Sequence, residues 1–228
     1  MHNKEKISAI IAAAGDSQRM GGVDKMFAPI AGRPVLARVV DAFQKCKAID
    51  QVIIVINPKN LEKGRRLVQE EGWAKVTDIC PGGKQRQDSV AEGLKRLKYA
   101  AWVVIHDGAR PLVTTDLIEK GLEAAEATGA AVAAVPVTDT IKVAGADAIV
   151  RQTLSRQNLR AVQTPQVFRI DVIVNTYRHV FGDVTDDASL VEKAGYTVKL
   201  YPGSYDNIKI TSPADLAVAE ALWQEHER

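Results

Sequence analysis

Only two cysteines, Cys46 and Cys80, occur in 228 residues. They form no C-x-x-C pair, which excludes a disulfide framework or a cysteine zinc cluster and fits a reducing, cytoplasmic compartment. Long apolar runs are missing as well. The longest, Ala130–Val137, contains Pro136 and falls far short of the roughly 18 residues that a membrane helix needs. Ile7–Ala14 follows Lys4-Glu5-Lys6, but it is short, carries Ser8 and runs into a polar loop, the pattern of a first buried strand rather than of a signal peptide. Neither sign of charge dominates. Thirty Lys and Arg against 28 Asp and Glu leave a formal charge of +2, so binding to nucleic acid or a membrane is not expected and any anion site must be local. The four histidines, His2, His106, His179 and His226, lack metal-ligand spacing, and neither G-x-S-x-G nor H-E-x-x-H occurs. Nucleophilic and zinc-hydrolase chemistry therefore has no support.

What remains is an ordinary globular composition, 46% hydrophobic and 25% charged, long enough to bury a core without staples or metals. Apolar runs at Ile7–Ala13, Val52–Ile56, Val76–Ile79, Trp102–Ile105 and Ala130–Val135 read as buried strands. Between them lie helical patterns: Val35–Phe43 behind Pro34 as a first-turn residue, Leu61–Glu71, a segment marked by Val90, Leu94 and Leu97, and Thr114–Thr128. That alternation predicts an α/β fold, a three-layer sandwich about a mostly parallel sheet. The pattern then changes. Thr140–Val143 and Ile149–Leu154 flank Ala144-Gly145-Ala146-Asp147 and read as a β-hairpin, either an arm protruding from the body (roughly 138–158) or an antiparallel edge of the sheet. Helices at Ile170–Val180 and Asp187–Ala194, a strand at Thr197–Leu200 and a helix at Pro213–Gln224 complete the chain, the last with Leu216, Ala219, Leu222 and Trp223 as its buried stripe. No repeat or linker is visible, so residues 1–228 are expected to form a single domain with no fused second enzyme.

In an open parallel sheet, ligands bind beyond the carboxyl ends of the strands. Three polar loops stand there. The first, Ala14–Lys25, combines small residues with Arg19 and Lys25; its backbone N–H groups and cations suit a polyphosphate, or else it is a solvated surface loop. It is neither a Walker A loop nor G-x-G-x-x-G. In the second, Pro81–Ser89, Gly82 and Gly83 clear space for a flat ring beside the Ser89 hydroxyl, or Asp88 or Ser89 simply caps a helix. The third, His106–Pro111, places Asp107 at a strand end, where it holds sugar hydroxyls or a metal, or closes a turn, with Arg110 as its ion-pair partner. His106 reads as a packed residue rather than a base.

Taken together, the first loop, Val104-Ile105-His106-Asp107-Gly108-Ala109-Arg110-Pro111, Pro136–Lys142, Gln163-Thr164-Pro165-Gln166-Val167-Phe168, Thr185–Ser189 and Asn207–Thr211 resemble, in order, the motifs of the 2-C-methyl-D-erythritol 4-phosphate cytidylyltransferase family over essentially the whole chain. The resemblance implies the nucleotide-diphospho-sugar transferase type of sandwich, a homodimer with interlocking arms, CTP and a small phosphorylated polyol as substrates, and Mg²⁺ held mainly by the CTP phosphates. It implies catalytic roles for Arg19, Lys25, Arg156 and Lys209. It places Ala13, Ala14, Gly15, Gly82, Gly83, Ser89, Asp107 and Gly108 on the CTP side. Asp107, Arg110, Thr140, Arg156, Thr164, Thr185 and Lys209 fall on the acceptor side, with Thr140 and Arg156 reaching the neighbouring subunit. Gly108 departs from a frequent Ala of that pattern, Met26 from a frequent Gln and Asp24 from a frequent Pro, and Asp24 is positioned to offset Lys25. Ribitol 5-phosphate is the rival acceptor, and a non-catalytic nucleotide sensor the rival from another class.

Overall fold

A computed structural model describes residues 5–16, 20, 24–180, 182 and 184–226. Its centre is a seven-stranded sheet of β1 (Ile7–Ala13), β4 (Gln51–Ile56), β5 (Val76–Pro81), β6 (Trp102–Asp107), β7 (Ala130–Pro136), β10 (Arg160–Arg169) and β11 (Lys199–Pro202), in the order β11-β7-β10-β6-β1-β4-β5. Every neighbouring pair is parallel except those that β10 makes with β6 and β7.

Successive side chains of a strand point to opposite faces, and here both faces are apolar. Ala9 and Ile11 of β1 join Ile54 and Val104 under α1 (Val35–Lys45), α2 (Leu61–Glu71) and α4 (Thr115–Ala125). Ile10 joins Ile53, Val103 and Phe168 on the other face, under α3 (Arg86–Leu94), α5 (Ile170–His179) and α6 (Asp187–Lys193). Three layers follow directly from strands that read as continuous apolar runs. The last helix, α7 (Pro213–His226), forms a smaller cluster in which Leu216, Ala219, Leu222 and Trp223 pack with Ile30 and Leu112. Ile30 belongs to the small hairpin of β2 (Pro29–Ile30) and β3 (Arg33–Pro34).

Several elements differ from the sequence expectation: α3 ends at Leu94 and leaves Leu97 outside it, and the strand expected at Thr197–Leu200 runs over Lys199–Pro202. The Gln163–Phe168 motif lies in a ten-residue strand, β10, which periodicity does not reveal because Gln163, Thr164, Pro165 and Gln166 interrupt its apolar pattern. The strand tolerates Pro165 because its register against β7 shifts between Val162 and Gln166. Pro34 stands at the N-cap of α1, one residue outside the first turn. The hairpin alternatives are also resolved. β8 (Lys142–Ala144) and β9 (Val150–Thr153) pair only with each other, in a sheet of their own, and every residue of both strands is exposed. The hairpin is an arm.

Chain direction places the site. From β1 the chain crosses to β4 on one side, whereas from β6 it moves towards β7 on the other. The connections leaving β1 and β6 diverge, and a crevice opens between the carboxyl ends of these adjacent strands. The helix covering this region packs tightly: a Cβ on Gly93 of α3 would lie 2.7 Å from Ile10 Cγ2. Gly93→Ala is expected to destabilise the protein in urea titrations, because overpacking costs about 1–3 kcal/mol against a helix gain of about 0.5–1.

Candidate active site

The crevice holds two adjoining pockets. A larger cleft of about 390 Å³ is lined by Ala13, Ala14 and Gly15 after β1, Lys25 and Met26, Gly82 and Gly83 after β5, Arg86 and Ser89 of α3, and Asp107 and Lys209. A smaller pocket of about 180 Å³ is lined by Arg110, Thr164, Thr185 and Asp186, and shares Arg86, Asp107 and Lys209 with the first. The three loops singled out in the sequence thus converge.

The loops are held together at close quarters. A Cβ on Gly82 would lie 2.3 Å from the Ala14 Cβ and 2.6 Å from Ser89 Oγ, and one on Gly83 would lie 2.2 Å from the Asp88 Cβ. These glycines let the loops meet, in addition to shaping the cleft wall. Ser89 Oγ accepts from the Gly83 N–H at 3.2 Å and donates to the Gln85 carbonyl at 3.1 Å, so it braces the loop and does not cap the helix. The cap is a box formed by Gln85 and Asp88, in which the Gln85 N–H donates to Asp88. The Asp24 carboxylate accepts from the Met26 N–H at 2.9 Å and from Asn60 Nδ2.

Asp107 is the hub. Arg86 Nε donates to its Oδ1 at 3.0 Å, while Lys209 Nζ at 2.8 Å and Arg110 Nε at 3.7 Å face its Oδ2. Burial alone would raise its carboxyl pKa, but Arg86, Lys209 and Arg110 outweigh burial and hold it well below the usual carboxylate range. Both Asp107 oxygens thus face cations, and the residue also opens a turn in which the Arg110 N–H donates to the Asp107 backbone carbonyl at 3.1 Å. Arg86 also donates to Asp187 at 2.7 Å. Burial opposes its charge, yet Asp187 and Asp107 raise its pKa above the ordinary value. Tyr177 donates to the other Asp187 oxygen at 2.5 Å. Arg86 Nη2 is buried with no hydrogen-bond partner among the described residues.

His106 is fully buried against Phe43, with ring centroids 5.4 Å apart. Burial pushes its pKa down to about 4; the Arg110 carbonyl and Asp107 oppose this, and Arg110 and Arg86 reinforce it.

Not every expected site residue gathers here. Arg19 lies outside the described residues. Gly108 sits behind the cleft wall: its N–H donates to the Ala12 carbonyl at 2.9 Å, and a Cβ on it would lie 2.8 Å from the Ala13 Cβ. Met26 Sδ stands 3.2 Å from the same Cβ position, so two of the departures from the family pattern are neighbours. Thr140 and Arg156 lie at the arm, exposed and away from both pockets, and Arg156 donates to the Thr138 carbonyl at 2.8 Å. Conversely, Arg86, Asp187, Gln163 and Gln166 belong to the site without having been singled out. The signal for Arg86 was present, since it follows Gly82-Gly83 just as Arg19 and Lys25 accompany Gly15.

Comparison with known proteins agrees with this arrangement. The sequence profile of the family described as IspD, 2-C-methyl-D-erythritol 4-phosphate cytidylyltransferase, matches residues 7–225. The chain belongs to this family. A protein of that name from Dehalococcoides mccartyi is 51% identical over 222 residues, covering 97% of this chain and 98% of the relative. Another from Pelotomaculum thermopropionicum is 47% identical, covering 96% and 94%. The crystal structure of the Anaerococcus prevotii 4-diphosphocytidyl-2C-methyl-D-erythritol synthase superposes with a TM-score of 0.86 at 32% identity over 97% of both chains. The Thermus thermophilus cytidylyltransferase gives 0.79 at 33% identity over 96% and 99%. Membership establishes a nucleotidyltransferase fold and an enzyme.

The buried histidine yields a test of stability. Its pKa falls from 6.5 to about 4 on folding. Between those values the unfolded chain takes up a proton that the folded chain refuses. The His106 contribution to stability is therefore complete above pH 6.5 and falls as pH drops towards 4, by up to about 1.4 kcal/mol per pH unit. Urea unfolding across this range is expected to show that slope, and His106→Gln is expected to flatten it.

Proposed function

We propose that CTP occupies the larger cleft and 2-C-methyl-D-erythritol 4-phosphate the smaller pocket, and that a cytidylyl group passes between them. The observation that carries this reading is the shared wall: Arg86, Asp107 and Lys209 line both pockets. An oxygen of the acceptor phosphate forms a bond to the α-phosphorus of CTP. The α–β bridging bond breaks, and pyrophosphate leaves with its electron pair. The acceptor phosphate is already largely a dianion at neutral pH, its second pKa being about 6, so no general base is needed.

The work is electrostatic. Two anions must meet while negative charge redistributes on phosphoryl oxygens, and fixed donors stabilise that charge without reorganising. Lys25 faces the cleft with the small-residue loop Ala13–Gly15, and the family resemblance adds Arg19. Lys209 stands between the two pockets, where it bridges the substrates. Asp107 accepts from ribose or acceptor hydroxyls while keeping three cations in place. Among the described residues no group of three or more His, Cys, Asp or Glu is spaced to hold a metal. This donor set suits Mg²⁺ that arrives on the CTP phosphates and offsets their charge, since Mg²⁺ commonly takes substrate phosphates and water as ligands.

The arm supports a homodimer. Val143, Ile149 and Val150 are 43%, 56% and 54% exposed, more apolar surface than a lone hairpin covers. A second copy would cover it and bring Arg156 and Thr140 to the acceptor pocket. No helix among the described residues is long and apolar enough to cross a membrane, and the two buried free thiols suit a reducing cytoplasm.

Pyrophosphate release from CTP is expected to be strongly faster with 2-C-methyl-D-erythritol 4-phosphate than with ribitol 5-phosphate; the reverse preference would reassign the acceptor. Lys25→Ala and Arg19→Ala are each expected to lower kcat at least 100-fold, the cost of one well-placed donor, with little change in urea stability. Mixing Arg156→Ala with Lys25→Ala protein is expected to restore part of the activity, because a mixed dimer holds one intact composite site. A mixture no more active than its components would remove the arm from the site.

A further inference from the structure

The antiparallel ladder between β6 and β10 ends at Gln166 opposite Ile105. Past that pair the Asp107 N–H is taken by a side chain and donates to Thr164 Oγ at 3.0 Å. Thr164 Oγ stands 3.0 Å from His106 Nδ1, and His106 Nε2 stands 3.2 Å from the Arg110 carbonyl oxygen. His106 is fully buried and Thr164 is 3% exposed.

Donor and acceptor capacity fixes the direction of this chain. A carbonyl only accepts, so His106 Nε2 carries the ring proton. In a neutral ring Nδ1 is then a lone pair, and its hydrogen-bond partner among the described residues is the Thr164 hydroxyl. The same hydroxyl oxygen receives the Asp107 N–H. Its single proton is spent inward, on the histidine.

We propose that His106 and Thr164 are positioning residues: the ring orients the Thr164 hydroxyl, the hydroxyl holds the Asp107 backbone, and Thr164 donates no proton to the acceptor pocket. This revises the expected role of Thr164 as a substrate contact. It also gives His106 a directional task beyond packing. The task matters because Asp107 must meet Arg86 and Lys209 at 3.0 and 2.8 Å at once, and misplacing a site group by about 1 Å can cost on the order of 10²-fold in rate. The kinetic part of the argument rests on the proposed function; the direction of the hydrogen bonds does not.

Nitrogen NMR of the full chain with ¹⁵N-labelled histidine tests the direction. His106 is expected as the neutral Nε2–H tautomer from about pH 6 to 8, with an Nδ1 signal that shifts in Thr164→Val and stays in Thr164→Ser. Kinetics test the role. Thr164→Val is expected to lower kcat at least about 30-fold while both KM values stay within about threefold, and Thr164→Ser to retain kcat within about threefold. An Nδ1–H tautomer, an imidazolium in that pH range, or a Val effect confined to the acceptor KM would overturn the proposal. If Thr164→Val does not fold, the wild-type tautomer and Thr164→Ser decide it. If the wild type itself makes no pyrophosphate from these substrates, the functional reading fails, and the NMR result still judges the relay.

Discussion

A carboxylate removed from water and ringed by cations organises this molecule. Asp107 stands at the carboxyl end of a central strand, where the sheet's connections diverge, and Arg86, Arg110 and Lys209 reach it from a helix, its own loop and a distant loop. Asp107 and Arg110 have lost most of their hydration, and mutual attraction in such places often only balances that loss. Removing the carboxylate is another matter, because Arg110 and Lys209 would then lose the anion that faces them. The arrangement is therefore better understood as a device for holding three cations in register than as a source of stability. An enzyme that must bring two anions together needs fixed positive charge, and a buried anion is the simplest anchor for it.

The second constraint is the antiparallel strand. β10 separates β6 from β7 in an otherwise parallel sheet. Its irregular middle delivers Gln163, Thr164 and Gln166 to the rim of the site. Gln166 donates to Asp186 at 2.7 Å and accepts from the Ala188 N–H, which ties the start of α6 to the sheet. Asn207 donates to the Thr164 carbonyl at 2.8 Å, and its own carbonyl accepts from Arg110. Polar residues in the middle of a sheet are tolerated here because each finds a partner.

Much of this was legible beforehand, for identifiable reasons. Apolar runs such as Val52–Ile56 and Ala130–Val135 announce strands covered on both faces, and the Gly-rich loops that follow them fall where a parallel sheet places ligands. Lys25, Ser89, Asp107 and Lys209 are all found there. β10 escaped notice because the residues that build the site are the ones that break its hydrophobic pattern. The glycine pair before Arg86 marks it as a loop cation, but its partners lie 21 and 101 positions away, and no local spacing reports that meeting. Gly82 and Gly83 were read as space for a ring, whereas their neighbours show that loop-to-loop contact also demands them. Thr140 and Arg156 carry a different lesson. The family resemblance marks them, yet one chain does not bring them to its own pockets.

The place of β10 has a consequence for the nascent chain. β6 and β7 are made one after the other, but neither pairs with the other in the finished sheet. The edge of β6 stays open until Arg160–Arg169 has been synthesised, and β7, with β11 beyond it, can be docked only after that. An apolar parallel half-sheet with a bare edge is an invitation to wrong pairing. On the ribosome, the β6 edge is thus open from the completion of residue 107 until residue 169 has been made.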